Sequence, residues 1–309
     1  NSMNYDFVII GAGIIGTIIA RELSRYNVRI LILEKENDVS KGATKANSAI
    51  VHGGYDDKNE SLKSKVSYKG RQAFLKYDEE LNFGFRKTGS LVIGFEKDKK
   101  AIEELYENGV RNGILDIRIL EKEEIIKLEP NINPNVKYAL YCEGAGICSP
   151  YEFAIALAEN ALENGATLEL NSEVTNIEKI SDYNYKVEYK QKDLDGNVSE
   201  KSVSTNFLIN AAGIYSDEIS EMVNKKYFTI KPRKGEYILF ARGTGEIVNT
   251  VIFQLPSEFG KGVLVTGTYH GNLMIGPDAQ NDVSRTDTST KIENLEYLLE
   301  KAEYTVGKL

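Results

Sequence analysis

A short apolar run near the start of the chain ends in a glycine loop: Tyr5-Asp6-Phe7-Val8-Ile9-Ile10, then Gly11-Ala12-Gly13-Ile14-Ile15-Gly16. A helical pattern follows through Ala20-Arg21-Glu22-Leu23, and a second apolar run over 28–33 ends on Glu34. Glycine spacing alone is a weak signal. Set between strand and helix, with an acid about 20 residues further on, it is the full dinucleotide-binding fingerprint. Gly11 permits the tight turn, Gly13 lets backbone approach a pyrophosphate, and Gly16 lets helix and strand pack closely. The N–H groups at the helix start, those of Ile14 and Ile15 among them, then face phosphate oxygens. Glu34 is placed to accept hydrogen bonds from an adenosine ribose. The plainer alternative is a buried strand followed by a structural turn.

The 309 residues allow one large or two modest domains. The net charge of −8 excludes a general nucleic-acid binder. The apolar stretch over 5–15 is too short to span a bilayer and has no basic flank or cleavage site, and no other stretch reads as a membrane helix. Asn1-Ser2 ahead of Met3 reads as a remnant of recombinant expression and stays out of the fold reasoning. Cys142 and Cys148 are the only cysteines. Their spacing does not suit a zinc pair, so no metal site is expected, and two reduced, buried thiols in a cytoplasmic protein outweigh a redox pair.

Residues 5–35 form a β-α-β unit, and 61–81 reads as a long helix with Leu62, Val66, Ala73, Tyr77 and Leu81 on one stripe. Strands are expected over 88–95 and 136–142, with helices over 97–113 and 121–128, the latter stopped by Pro130. Ser149-Pro150-Tyr151-Glu152 is a helix start, with Ser149 as cap and Glu152 completing a capping box. That helix runs to about residue 163, and a strand over 166–170 follows. The segments 173–180, 183–190 and 198–208 read as antiparallel strands, with Asp195-Gly196 as a hairpin turn, within a polar, solvated tract over 182–205. Further strands fall at 234–241, 250–253, 262–266 and 272–275, and a last helix at 288–304. The class is therefore α/β, with β-α-β units bracketing an insertion of mixed strands.

At this point five segments resemble a family. They are 6–35; Gly42-Ala43-Thr44-Lys45-Ala46-Asn47-Ser48-Ala49-Ile50-Val51-His52-Gly53-Gly54; Val174 with its strand; Asn210-Ala211-Ala212-Gly213-Ile214-Tyr215-Ser216-Asp217-Glu218-Ile219; and Lys231-Pro232-Arg233-Lys234-Gly235-Glu236-Tyr237. Together they resemble the FAD-dependent oxidoreductases of the D-amino-acid oxidase superfamily, most of all the glycerol-3-phosphate dehydrogenase and L-2-hydroxyglutarate oxidase branches. The resemblance implies a Rossmann-like FAD-binding domain, with a parallel sheet and an antiparallel hairpin crossover, plus an inserted α+β substrate domain. It implies FAD-binding segments over 3–84 and 149–220 and substrate-domain segments over 85–148 and 221–285. The helix in 286–309 would return to the FAD domain. It implies that Lys35 flanks the adenine, that Thr44, Asn47 and Ser48 lie at the flavin or its phosphates, that Val174 offers backbone groups to adenine, and that Ala211, Ala212 and Gly213 pass close to the pyrophosphate.

The chain also departs from the pattern. Tyr55-Asp56-Asp57 follows the His-Gly-Gly motif where glycerol-3-phosphate dehydrogenases carry Leu-Arg-Tyr, and Ser61-Leu62-Lys63 is more like the hydroxyglutarate branch. Family members continue past residue 309 with a closing strand and a glycine loop at the pyrimidine end of the flavin. The chain is therefore expected to be a truncated piece whose catalytic site is completed elsewhere.

Hydride transfer to a flavin needs one proton acceptor and a means of holding the donor carbon. The chain has two histidines. His52, in the loop that the resemblance places at the flavin, is the first candidate base or flavin contact; the alternative is a histidine that only braces a glycine turn. His270, in a turn between strands, is the second; an exposed hairpin residue is its alternative. An anionic substrate needs a cation, and the planar fork of Arg233 suits carboxylate or phosphate. Lys234 points the other way along a strand and reads as a surface charge. Tyr55 and Tyr269 could supply hydroxyls, but any one of 18 tyrosines is more often structural.

The resulting expectation is an FAD-dependent dehydrogenase or oxidase of a small anionic hydroxy substrate, glycerol 3-phosphate or a 2-hydroxy acid. Its electron acceptor is open, a partner redox protein or a quinone, and it is cytoplasmic or held at a membrane surface by that partner. Amine or amino-acid oxidation is the alternative chemistry, and a non-catalytic flavin-binding subunit or fragment the alternative class.

Overall fold

The computed structural model describes residues 3–224, 226–256 and 262–309. Asn1-Ser2, read above as a remnant, lie outside the described residues. The chain forms two compact units, one of residues Asn1–Asn47 and Pro150–Pro232, the other of Ser48–Ser149 and Arg233–Leu309.

The first unit is built on a six-stranded sheet. Its order is Ser172–Ser181, Asn184–Lys192, Val198–Asn210, Asn4–Ile10, Ile30–Leu33, Thr167–Glu169. Asn4–Ile10 pairs in parallel with Ile30–Leu33 on one side and Val198–Asn210 on the other. Every residue of Ile30–Leu33 is buried, which is why this run shows no alternation: a central parallel strand is covered on both faces. Each of these side chains contributes roughly 1.5–3 kcal/mol by leaving water. The helices Ile14–Leu23 and Pro150–Glu163 cover one face, with Ala20, Ala158 and Ala161 in the shared core. The three longest strands form the antiparallel meander expected for this stretch. Its second turn is closed by Asp193, whose carboxylate accepts from the N–H groups of Asp195 and Asn197, with Gly196 at φ +85°.

The second unit holds a seven-stranded sheet in the order Ile238–Arg242, Asn272–Gly276, Leu264–Gly267, Val251–Gln254, Ser90–Gly94, Tyr138–Cys142, Ile117–Glu121. Leu91, Leu120, Ile252, Val265 and Ile275 form its core. The helix Ile292–Val306 buries Leu298 and Ala302 in that same core, so residues 286–309 lie with this unit and not with the first. The helix Leu62–Leu81 also belongs to this unit, and the chain divides after residue 47 and not after 84.

Three local expectations need correction. The stripe on Leu62–Leu81 does not face a core: Leu62 and Val66 are exposed, while Ser64 and Arg71 are buried, because the inward face is organised by an ion pair. Ser149 does not cap the following helix. Its backbone N–H is tied to the Gly84 carbonyl at 3.0 Å, and its buried hydroxyl finds no hydrogen-bond partner among the described residues. The strand expected over 234–241 begins only at Ile238; Lys234 makes a single bridge to Gln280. Sequence patterning also missed Ile117–Glu121 and the small sheet of Ile50–Val51, Gly146–Cys148 and Phe85–Arg86. Cys142 and Cys148 are free, buried thiols, and burial pushes them up to about 11 and about 12.

Candidate cofactor and substrate sites

In the first unit the strand Asn4–Ile10 turns at Gly11, which holds φ +106°. The Gly11 N–H donates to the Leu33 carbonyl at 2.9 Å, and the Ala211 N–H donates to the Ile10 carbonyl at 2.9 Å. Gly11 thus sits between the ends of both neighbouring strands, and a Cβ there would strike the Ala211 carbonyl oxygen. Gly13 is the N-cap of Ile14–Leu23, and a Cβ on it would approach the Thr44 hydroxyl at 3.0 Å. The Thr44 hydroxyl accepts from the Ile14 N–H at 3.0 Å. Those of Ile15 and Gly16, in the same first turn, precede the first intrahelical donor, the Thr17 N–H, which donates to the Gly13 carbonyl at 3.0 Å. Ile15 carries an exposed side chain.

Glu34 is buried. One carboxylate oxygen accepts from the Ala12 N–H at 2.9 Å and the other from the Glu36 N–H at 2.8 Å. It therefore braces the glycine loop against the end of the second strand, and each oxygen retains a lone pair for another donor. Lys35 is exposed, with its ammonium 3.4 Å from the centre of the Tyr215 ring. Asn47 closes its own turn by donating to the carbonyls of Ala43 and Thr44 at 2.9 and 2.8 Å. Val174 is buried beside a bulge in Ser172–Ser181. The Ala212 N–H donates to the Asn210 side-chain oxygen at 3.3 Å, and Gly213 opens a short 3-10 turn with φ +57°.

In the second unit Ser48 shares a 2.7 Å hydrogen bond with the Tyr237 hydroxyl. His52 lies at a cleft of about 290 Å³ with Asp56, Asp57, Lys63, Ser67 and Arg71 in its walls. His52 is exposed, and its ring packs against that of Phe253, with centroids 5.7 Å apart. Burial by the surrounding protein lowers its pKa below 6.5, against an opposing pull from Asp56. The cleft's other cations have partners. Lys63 pairs with Asp57 at 3.0 Å, and Arg71 grips Asp116 through two bonds of 2.5 and 2.8 Å. Arg71 also donates to the Gly53 carbonyl at 3.3 Å, fixing the loop that carries His52.

Arg233 is exposed and has no hydrogen bond or ion pair among the described residues, and it is not part of the cleft lining. Lys234 is no surface charge: it donates to Asp287 at 3.1 Å and to the Ser289 carbonyl at 2.9 Å, with Glu236 at 3.9 Å. His270 is exposed in its turn, edge-on to Tyr269. Tyr55 is fully buried, and burial raises its pKa far above the ordinary tyrosine value, so it is a core residue. Tyr269 lies against Gly84 and under the Arg86 guanidinium, 4.9 Å from the ring centre.

A family model described as FAD dependent oxidoreductase matches residues 6–308. The chain belongs to that family. It is 46% identical over 306 residues to a glycerol 3-phosphate dehydrogenase of Caloramator mitchellensis, an alignment covering 99% of this chain and 62% of that protein. It is 29% identical over 293 residues to the mitochondrial L-2-hydroxyglutarate dehydrogenase of Homo sapiens, covering 90% of this chain and 62% of the relative. Among solved structures it superposes on the FAD-bound, dithionite-reduced L-alpha-glycerophosphate oxidase of Mycoplasma pneumoniae with a TM-score of 0.90 and 30% identity, over 99% of this chain and 79% of that one. The chain thus spans less than two thirds of the length of the first two relatives.

The family's FAD suits what the first unit offers. The turn is backbone-tight, with no space for a Cβ at Gly11 beside the Ala211 carbonyl and little at Gly13 beside the Thr44 hydroxyl, the helix start presents N–H groups, and Glu34 is fixed at the end of the second strand. Residue pattern alone pointed to the glycines and Glu34. It gave no sign of the Tyr237 contact to Ser48, the Phe253 wall beside His52, or the Arg71–Asp116 pair behind the His52 loop, because each joins segments far apart in sequence.

Proposed function

We propose that this chain is the flavin-binding body of a dehydrogenase or oxidase that acts on a small anionic hydroxy compound, glycerol 3-phosphate first and a 2-hydroxy acid second. The observation that carries this reading is the 46% identity, over 306 residues, to a glycerol 3-phosphate dehydrogenase. The bound flavin would supply the hydride acceptor. Gly11, Gly13, Ile14, Ile15, Gly16, Glu34 and the turn Ala211-Ala212-Gly213 would hold the adenosine and pyrophosphate, with Lys35 and Val174 at the adenine. Thr44, Asn47 and Ser48 would set the loop beside the flavin.

His52 would take the hydroxyl proton on an imidazole nitrogen. Its lowered pKa keeps the ring neutral, and so able to accept, near pH 7. Arg233 would bind the anionic end of the substrate, since the cations lining the cleft are already paired. His270 is the reserve base. The electron acceptor would be a partner redox protein or a quinone, and the free buried thiols fit a reducing compartment such as the cytoplasm. Among the described residues no helix is long and apolar enough to cross a membrane.

The test is anaerobic bleaching of the flavin absorption with a substrate panel. Glycerol 3-phosphate or L-2-hydroxyglutarate should bleach it at micromolar to millimolar concentration. Bleaching only by amines or amino acids would replace the proposed substrate class, and no bleaching by any of them would make the chain a flavin-binding protein without this chemistry.

A further inference from the structure

Lys35 lies two residues past the strand Ile30–Leu33, and Tyr215 five residues past Val198–Asn210. These two strands flank Asn4–Ile10, the strand that runs into the glycine loop. Neighbouring strands lie about 4.8 Å apart, so the two flanking strands are separated by roughly 9–10 Å. The Lys35 ammonium nevertheless reaches within 3.4 Å of the Tyr215 ring centre. The contact therefore bridges the ends of the two flanking strands across the carboxyl end of the first. That is where the helix Ile14–Leu23 presents its N–H groups.

We propose that Tyr215 is a positioning residue for the cofactor: its ring holds the Lys35 ammonium across the mouth of the glycine loop, so that the lysine stem stays at the adenine while the charge faces the anionic phosphates of FAD. The proposal rests on the family's FAD and is independent of the substrate reading. An aromatic face suits the task better than a carboxylate. It fixes a cation in place but leaves its charge unneutralised for a ligand. A free lysine stem samples many rotamers, so a held ammonium also loses less freedom when the dinucleotide arrives. The competing anion is Glu36, 3.9 Å from the same nitrogen and half exposed. The ring itself stands on a built turn. The Tyr215 N–H donates to the Ala212 carbonyl at 3.1 Å, the Ser216 hydroxyl to the Gly213 carbonyl at 2.7 Å, and the Asn210 amide to the Ser216 carbonyl at 2.8 Å.

The experiment is titration of the flavin-free protein with FAD, followed by quenching of flavin fluorescence at low salt and at about 0.5 M salt. Tyr215→Leu should weaken binding by about 2–30-fold, the range of an exposed to desolvated cation–π contact. Tyr215→Phe keeps the ring and should bind like the parent. Lys35→Met should weaken binding to a similar degree and flatten the salt dependence, and the Lys35→Met/Tyr215→Leu double variant should be no worse than Lys35→Met alone. A purely structural tyrosine would give additive losses and an unchanged salt slope, which would overturn the proposal, as would parental affinity in Tyr215→Leu. Circular dichroism of each flavin-free variant shows that it is folded. Should Tyr215→Leu not fold, Lys35→Met and Tyr215→Phe decide: parental affinity in Lys35→Met, or loss in Tyr215→Phe, overturns it.

Discussion

The carbonyl oxygen of Gly11 occupies the space in which any side chain at Gly16 would begin. Loop and helix are thus in backbone contact at the point where the strand turns. Gly16→Ala should therefore cost stability despite alanine's better helix propensity, by about 1–3 kcal/mol from overpacking. Thermal denaturation and the flavin content of the purified variant measure this together. A melting temperature and flavin load equal to the parent's would show that the contact relaxes freely.

His52 should govern the low-pH limb of flavin reduction. Burial lowers its pKa, so the neutral form persists below 6.5 and the rate should fall only as pH drops through that lowered value. His52→Gln should slow reduction by about 10²–10⁴-fold and remove this limb. Stopped-flow reduction across about pH 5–8 reads both effects. A parental rate in the variant would move the base to His270 or to another group.

Arg233→Ala should act on substrate binding and not on the hydride step. Loss of charge-assisted hydrogen bonds worth about 1.5–3 kcal/mol should raise KM by roughly 10–150-fold with little change in kcat. The split between the two parameters is the measurement. A fall in kcat at unchanged KM would assign Arg233 some other task.

The Arg71–Asp116 pair predicts an acid-sensitive component of stability. Burial pushes the Asp116 pKa up, but the hydrogen bonds and charge of Arg71 outweigh it, and the net shift is down. A depressed carboxyl pKa stabilises the fold above the unfolded value of 3.8 and loses that contribution as pH falls through the folded one. Asp116→Asn should cost about 1.5–3 kcal/mol at neutral pH, and its deficit should close as pH falls below about 4. Chemical denaturation at several pH values tests this; a deficit independent of pH would mean that packing, not charge, is lost.

The opening β-α-β unit was legible because its signals are local. Gly11, Gly13, Gly16 and Glu34 fall within one β-α-β unit, and a fixed spacing encodes their geometry. The meander over 172–210 was legible because strand alternation and an Asp-Gly turn are also local. The helix Leu62–Leu81 was placed correctly but its inward face was not. Apolar periodicity marks a core-facing stripe only when the core is apolar, and here Arg71 faces inward to meet Asp116, 45 residues away. Lys234 misled for the same reason: its partners Asp287 and Ser289 lie more than fifty residues on. The closing helix gave no sequence cue to its host unit, since Leu298 and Ala302 would suit either core.

The pairing of Asn4–Ile10 with Val198–Asn210 has a consequence for biosynthesis. Ile9 is partnered by Ile209, 200 residues later in the chain. At translation rates of about 5–20 residues per second, the first strand waits roughly 10–40 s for that neighbour. Throughout that interval one edge of a strongly apolar ribbon stands uncovered, and three of the second sheet's seven strands, Ser90–Gly94, Ile117–Glu121 and Tyr138–Cys142, are made in the meantime. The nascent chain is thus exposed to mispairing longest at the strand that leads into the glycine loop, and a holdase-type chaperone would have its greatest effect there.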